Sequence, residues 1–414
     1  MLMRSFFVSR LSLPAKLLII YIFGAASSYF DFYFSFLVLM VGAFFVFYRY
    51  VSPAVLVFLL AFDFFIISAY VLFFNNTSGV DEAYFYSTYM DSDFFSLVQD
   101  ELHRLSGQFG YIRSRNTFPA FLDLFFSPYS SDVNSALIIY FNSFFWLAGL
   151  AAWLKAIEGG ISRKAFIILF IYLFASPYVL YWIFNFGKDL FVVSLCLISS
   201  AFFIRKRYVC SLLFLCFASF FRPYSAVIVL AYSAPFCLSF GRTTAMAAGA
   251  VFVQALLSKS VVIVLLNSLL IFLFVFLSPS PFNFDNWSYV SYAAWHFSPW
   301  LFTFEGVLVF LFFCLGGVSL IFWGRTISQF GLLIKILIAV FLLCLVLGLV
   351  GQSSILSSAT EPRLGLLGDN IVRKKLAVWP LVALFVAIIF SKIRVIKSRK
   401  LKCREELSSH DIVG

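Results

Sequence analysis

Along most of the chain the apolar residues do not alternate with polar ones. They run on for 14 to 23 positions and stop at charges or turn formers. The runs cover 17–30, 32–48, 52–74, 134–154, 165–183, 189–204, 208–221, 223–240, 260–278, 303–323, 331–350 and 376–392. Runs that are apolar on every side suit helices surrounded by lipid or by other helices, and a crossing takes roughly 17–25 such residues. The pattern therefore predicts an all-α, polytopic transmembrane helix bundle with about 12 crossings. An Ala-rich stretch, 244–258, sits between Arg242 and Lys259 and is expected as a helix on the cytoplasmic interface. A crossing there would reverse every later loop. Residues 75–133 are the one long extramembrane segment. Aromatic residues throughout it predict an ordered loop carrying short helices on the membrane surface. No internal repeat of the kind that builds two-fold transporters is visible.

Composition agrees with this solvent. Of 414 residues, 63% are hydrophobic and 12% charged, and 58 are Phe. An average soluble domain is about half apolar and a quarter charged. The net charge of +11 does not point to nucleic acid, because its position tells more than its size. Basic residues gather at the ends of alternate runs, as in Arg205-Lys206-Arg207 and the tail 392–414. With the N-terminus inside, most of the 30 Lys and Arg fall on the cytoplasmic side and most acidic residues outside, as the positive-inside rule requires. Both termini are then cytoplasmic, and the tail suits anionic lipid head groups. Arg4, Arg10 and Lys16 precede the first run without a small-residue cleavage site, so that run is expected to stay as an uncleaved helix. The seven cysteines lie in apolar or basic segments, forming no disulfide framework. The three histidines are dispersed, so no metal or other cofactor is expected.

The cations left outside against the rule are the informative ones. Arg104, Arg113 and Arg115 lie in the long loop. Lys188 opens a helix in Asn185-Phe186-Gly187-Lys188-Asp189, and Arg222 precedes Pro223 at a tight turn. Arg363 and the run Arg373-Lys374-Lys375 belong to the last outer loop. A cation at the membrane border is costly to desolvate and persists chiefly when paired. Outer carboxylates and lipid phosphate supply ordinary pairing. Lys188, Arg222 and Arg373 together also suit a bound anion, since helix N-termini add partial positive charge nearby.

Gly187-Lys188-Asp189 followed one hairpin later by Arg222-Pro223-Tyr224 resembles the bacterial polysaccharide polymerases of the Wzy and EpsG type. Pro281-Phe282 ahead of Glu305, the outer Asp81-Glu82 pair, and Asn370-x-x-Arg373 followed by Pro380 are similar to those enzymes and to other polyprenyl-dependent glycosyltransferases of the GT-C class. The resemblance implies a donor, an oligosaccharide repeat on undecaprenyl diphosphate, and a reaction at the periplasmic face of the bacterial inner membrane. That reaction joins lipid-linked repeats into O-antigen or exopolysaccharide. A chain-length regulator or export protein is an expected partner, besides the bilayer itself.

The chemistry of the residues fits such a transfer. Breaking a glycosyl–diphosphate bond builds negative charge on the leaving group, which fixed cations stabilise. Lys188, Arg222 and Arg373 are the expected diphosphate contacts; Arg offers a two-pronged donor and Lys a compact charge. Asp81, Glu82 and Glu305 are the candidates for taking the acceptor hydroxyl's proton; solvated loop carboxylates and, for Asp189 beside Lys188, a structural ion pair are the plainer alternatives. Trp287, Trp295 and Trp300 in the loop 279–302 could stack on sugar rings, while an interfacial aromatic belt explains them without any ligand and is the plainer reading. Asp63 is set apart by its place in the middle of Leu60-Ala61-Phe62-Asp63-Phe64-Phe65. An ionisable group at that depth faces the bundle interior; a buried, protonated, hydrogen-bonded carboxyl is the plainer alternative, and a proton-coupling role there would favour the rival function, a transporter or flippase of lipid-linked sugars.

Overall fold

A computed structural model describes residues 12–28, 32–48, 50–73, 80–107, 117–125, 131–222, 224–258, 298–323, 329–356 and 374–391, with 269, 272–273 and 275–277 between them. Every regular element among these residues is helical. In chain order they are α1 (Leu13–Ser28), α2 (Phe32–Phe47), α3 (Pro53–Phe73), α4 (Val80–Asp91), α5 (Phe94–Gly107), α6 (Thr117–Phe125), α7 (Ser131–Ile157), α8 (Arg163–Ala175), α9 (Pro177–Phe184), α10 (Asp189–Ile204), α11 (Tyr208–Phe221), α12 (Ser225–Cys237), α13 (Phe240–Ser258), α14 (Ser298–Trp323) and α15 (Phe330–Leu356). The last, α16, spans Lys374–Ser391. The helices α10 and α11 begin and end where the charge-bounded runs predict.

Five helices are long and apolar enough to cross a bilayer: α3, α7, α14, α15 and α16. The bent pair α8–α9 makes a sixth if it is one span. The core segments of α1, α2, α10, α11 and α12 are apolar but only 10–17 residues long. At 1.5 Å per residue that is about 15–25 Å, short of a hydrocarbon core about 30 Å thick. About 12 crossings thus exceeds what length and hydropathy establish among the described residues. The run 260–278 lies mostly outside them. The stretch expected at 244–258 is the longer helix α13, packed along α15.

The run 165–183 is broken rather than straight. Helices α8 and α9 meet at 44° around Ser176. Pro177 is the cause: it lacks an N–H, and its ring drives the preceding residue into extended backbone, so Ser176 sits at φ −66°, ψ 116°. Pro177 then starts the next helix, where a missing donor costs nothing, and Ser176 caps it by accepting from the Val179 N–H at 3.3 Å.

Contacts sort the helix ends into two groups. At one end Gln329 donates to the Gly160 carbonyl at 3.2 Å, Ser162 meets Ser391 at 3.3 Å, and Lys335 donates to the Leu238 carbonyl at 3.1 Å. The opposite end carries α4, α5 and α6, the Asn185–Lys188 loop and the α11–α12 turn. These are the two sets that the charge pattern assigns to opposite faces.

The core of the bundle is α7 against α10. Gly149 permits their close approach, since a Cβ there would lie 2.8 Å from the Ser194 carbonyl oxygen. Serine hydroxyls tie α10 to its other neighbours: Ser199 donates to the Ser211 carbonyl at 2.8 Å and Ser200 to the Val229 carbonyl at 3.1 Å. Small and hydroxylated residues serve helix contacts in lipid because apolar burial alone gives no preference for a neighbouring helix there.

Candidate functional site

The end of the bundle that carries α4–α6 is built on phenylalanine. Phe121 of α6 packs its ring against Phe141 of α7, Phe191 of α10, and Phe217 and Phe221 of α11, with centroids 5.2–5.9 Å apart. Phe118 of α6 bridges Phe221 and Phe85 of α4. Tyr86 and Tyr89 of α4 pack on Phe186 in the loop between α9 and α10. The described residues 80–107 and 117–125 thus form short helices, and two of these, α4 and α6, are docked into the bundle through buried aromatic faces. The third helix, α5, is preceded by Asp93, which accepts from the Ser96 N–H at 2.8 Å, while Asp123 of α6 accepts from the Phe94 N–H at 2.7 Å.

Beneath this roof lie Lys188, Asp189 and Arg222. The loop preceding them is held from below by Asn142 of α7, whose amide donates to the Ile183 and Asn185 carbonyls at 3.2 and 3.0 Å. This satisfies carbonyls that the end of α9 leaves open. Lys188 is buried, with its ammonium 5.2 Å from the centre of the Phe85 ring. Asp189, the first residue of α10, places its carboxylate at a helix N-terminus, where negative charge is favoured. Arg222 follows α11 in extended backbone and donates from Nε and Nη2 to Asp189 Oδ1 at 2.9 and 2.5 Å. Its side chain is 27% exposed and that of Asp189 12%. Lys188 and Arg222 thus place two cations beside Asp189, which Arg222 engages directly.

Glu305, on the second turn of α14, lies in a different cluster, at the α8–α9 break. One carboxylate oxygen accepts from the hydroxyls of Tyr172, at 2.9 Å, and Ser176; the other accepts from the Tyr178 N–H at 2.9 Å. Trp379 of α16 donates its indole N–H to Ser176 Oγ at 3.3 Å. Above the cluster, Lys375 is fully buried, its ammonium 4.8 and 4.5 Å from the ring centres of Tyr178 and Trp379 and without a hydrogen-bond partner among the described residues. Gly306 leaves room for it, because a Cβ would press on Lys375 Nζ and on the Phe276 carbonyl.

The sequence-derived residues therefore divide. Lys188 and Arg222 come together around Asp189. Glu305 belongs to the break instead, with its oxygens engaged. Asp81 and Glu82 fall in the first turn of α4, one turn before the Phe85 that faces Lys188. Trp300 falls in the first turn of α14. Arg373, Trp287 and Trp295 lie outside the described residues. Tyr172, Ser176 and Trp379, which sequence reasoning passed over, complete the Glu305 cluster. The Ser-Pro pair inside an apolar run was the available signal for it. Among the described residues no group of His, Cys, Asp and Glu is arranged to hold a metal ion. No family model, no curated protein and no solved structure matches this chain.

Proposed function

We propose that the chain polymerises lipid-linked oligosaccharide repeat units, O-antigen or exopolysaccharide, by glycosyl transfer at the periplasmic face of a bacterial inner membrane. The observation that carries this reading is the corner where Lys188 and Arg222 flank Asp189 at one end of a bundle of apolar helices. Lys188 and Arg222 place two fixed cations at a border where charge is costly to desolvate, and an anionic ligand could share their donors. A diphosphate at the end of a polyprenyl chain supplies that anion along with a tail that stays in lipid. The Asp189 carboxylate orients the Arg222 fork, and Arg373 is the third expected contact.

In the reaction, the acceptor sugar's hydroxyl oxygen bonds to the donor's anomeric carbon, and the bond from that carbon to the diphosphate breaks. The diphosphate leaves with the electron pair, and the hydroxyl's proton passes to a carboxylate. Asp81, Glu82 and Glu305 are the proposed acceptors; the oxygens of Glu305 already accept from Tyr172, Ser176 and Tyr178. Trp287, Trp295 and Trp300 are the proposed glycan-stacking residues. In this reading the short helices also cross, giving about 12 crossings with both termini cytoplasmic. A chain-length regulator or export protein would act beside it.

Purified protein in lipid, supplied with synthetic undecaprenyl-diphosphate oligosaccharide, is the test. A ladder of longer lipid-linked glycans is expected. Transfer of the substrate across the bilayer without elongation would establish the flippase instead.

A further inference from the structure

The cavity between α2, α3, α7 and the α8–α9 pair surrounds Asp63. That residue is 7% exposed, and it makes no hydrogen bond or ion pair among the described residues. From α2, α7, α8 and α9 the walls contribute Phe36, Met40, Ser143, Trp146, Phe174 and Ile183, and no other charged or titratable group. Two of the lining residues, Ser143 and Trp146, also have a buried polar atom, Oγ and Nε1, without a hydrogen-bond partner among the described residues. Of the ten buried side-chain polar atoms without a hydrogen-bond partner among the described residues, three belong to residues lining this one cavity, and a polar occupant would satisfy them. About 40 Å³ is open to the centres of water-sized molecules, room for about two or three waters at roughly 10–15 Å³ each.

We infer that this cavity is a hydrated proton-binding site, with Asp63 as the group that takes and releases the proton. The walls select against other cations. A hard metal ion needs several oxygen ligands, whereas the lining side chains offer only the Asp63 carboxyl and one serine hydroxyl. The Trp146 N–H is a donor without acceptor capacity, so it repels a metal cation while solvating water or a carboxylate. In the step itself, a hydronium ion of the cavity water gives its proton to a carboxylate oxygen of Asp63. One O–H bond forms, one breaks, and a neutral water remains. The carboxyl so formed is a tolerable occupant of an apolar bundle, and the carboxylate is solvated by the waters with Ser143 and Trp146. The inference does not rest on the glycosyl-transfer reading, since Asp63 belongs to a separate cavity.

Infrared difference spectra of the full chain in bilayers, taken between acidic and alkaline buffer, test it. Among the bands of the 19 Asp and Glu carboxyl groups, one protonated-carboxyl stretch that shifts in D2O is expected to be missing from the acid-minus-alkaline difference of Asp63→Asn while the others remain. Should that variant fail to reach the membrane, Asp63→Glu is expected to move the band and Trp146→Phe to shift it. An unchanged spectrum in these variants, a band indifferent to D2O, or a carboxyl band displaced at fixed pH by sodium or methylammonium salts would overturn the inference.

Discussion

Arg222 clasps Asp189 across the tips of two helical hairpins, with its Nε and Nη2 donating to the same carboxylate oxygen. The pair lies 33 residues apart in sequence and joins the start of α10 to the end of α11. If Arg222 grips diphosphate, Arg222→Ala should lower the polymerisation rate by on the order of 10²–10³ at unchanged membrane abundance. Asp189→Asn, which keeps an oxygen facing the guanidinium, should lose less than Asp189→Ala. The double variant should fall short of the summed losses, with a coupling of about 0.5–3 kcal/mol. Rates measured on the lipid-linked substrate check all three.

Glu305 offers a sharper discrimination. A residue that ties Tyr172, Ser176 and the Tyr178 N–H together should act on stability. Glu305→Gln sets an amide N–H against one of these donors and should cost about 1–3 kcal/mol in thermal unfolding in detergent. Activity should fall only as far as folded protein does. Loss of turnover in a variant of unchanged stability would return Glu305 to the reacting groups.

Glycines on α14 make a matched pair. Gly306→Ala drives a methyl group into the Phe276 carbonyl and the Lys375 ammonium, and should cost about 1–3 kcal/mol. Gly317→Ala on the same helix meets nothing within 4 Å and should leave stability unchanged or slightly raised. Melting temperatures of the two variants decide the point.

Sidedness is also directly measurable. Gln99 on α5 and Glu158 after α7 are both exposed, at opposite ends of the bundle. In a cysteine-free background, Gln99→Cys should react with a membrane-impermeant thiol reagent added to intact cells. Glu158→Cys should react only after the membrane is opened. The reverse pattern would put Lys188 and Arg222 in the cytoplasm and remove the periplasmic reaction.

Much of this architecture can be read from residue order, and the exceptions have physical causes. The triplet Arg205-Lys206-Arg207 separates α10 from α11 because charge cannot continue into lipid, so hydropathy alone marks both ends. The bend at Ser176 escapes a hydropathy reading because proline interrupts hydrogen bonding without interrupting apolarity. Asp189 and Arg222 are each visible as membrane-border charges, but their partnership depends on how two hairpins pack, which no local spacing encodes. Lys375 misleads for a similar reason. It follows Arg373 and Lys374 in what reads as the end of an outer loop, yet the first turn of α16 turns it inward onto Tyr178 and Trp379. Asp63 was legible as an oddity, and only the packing reveals the cavity beside it.

Ser176 spends its proton on Glu305 and receives N–H groups from Val179 and Trp379, so one hydroxyl is fastened to three partners at once. A fastening of that kind leaves no slack. If α9 swivelled on Pro177, bonds to α14 and α16 would have to break together, so those helices behave as a single frame. Helices α4 and α6, seated on aromatic faces, can by contrast lift away without severing a hydrogen bond of that frame, so the proposed lipid-linked substrate would have its way in on their side.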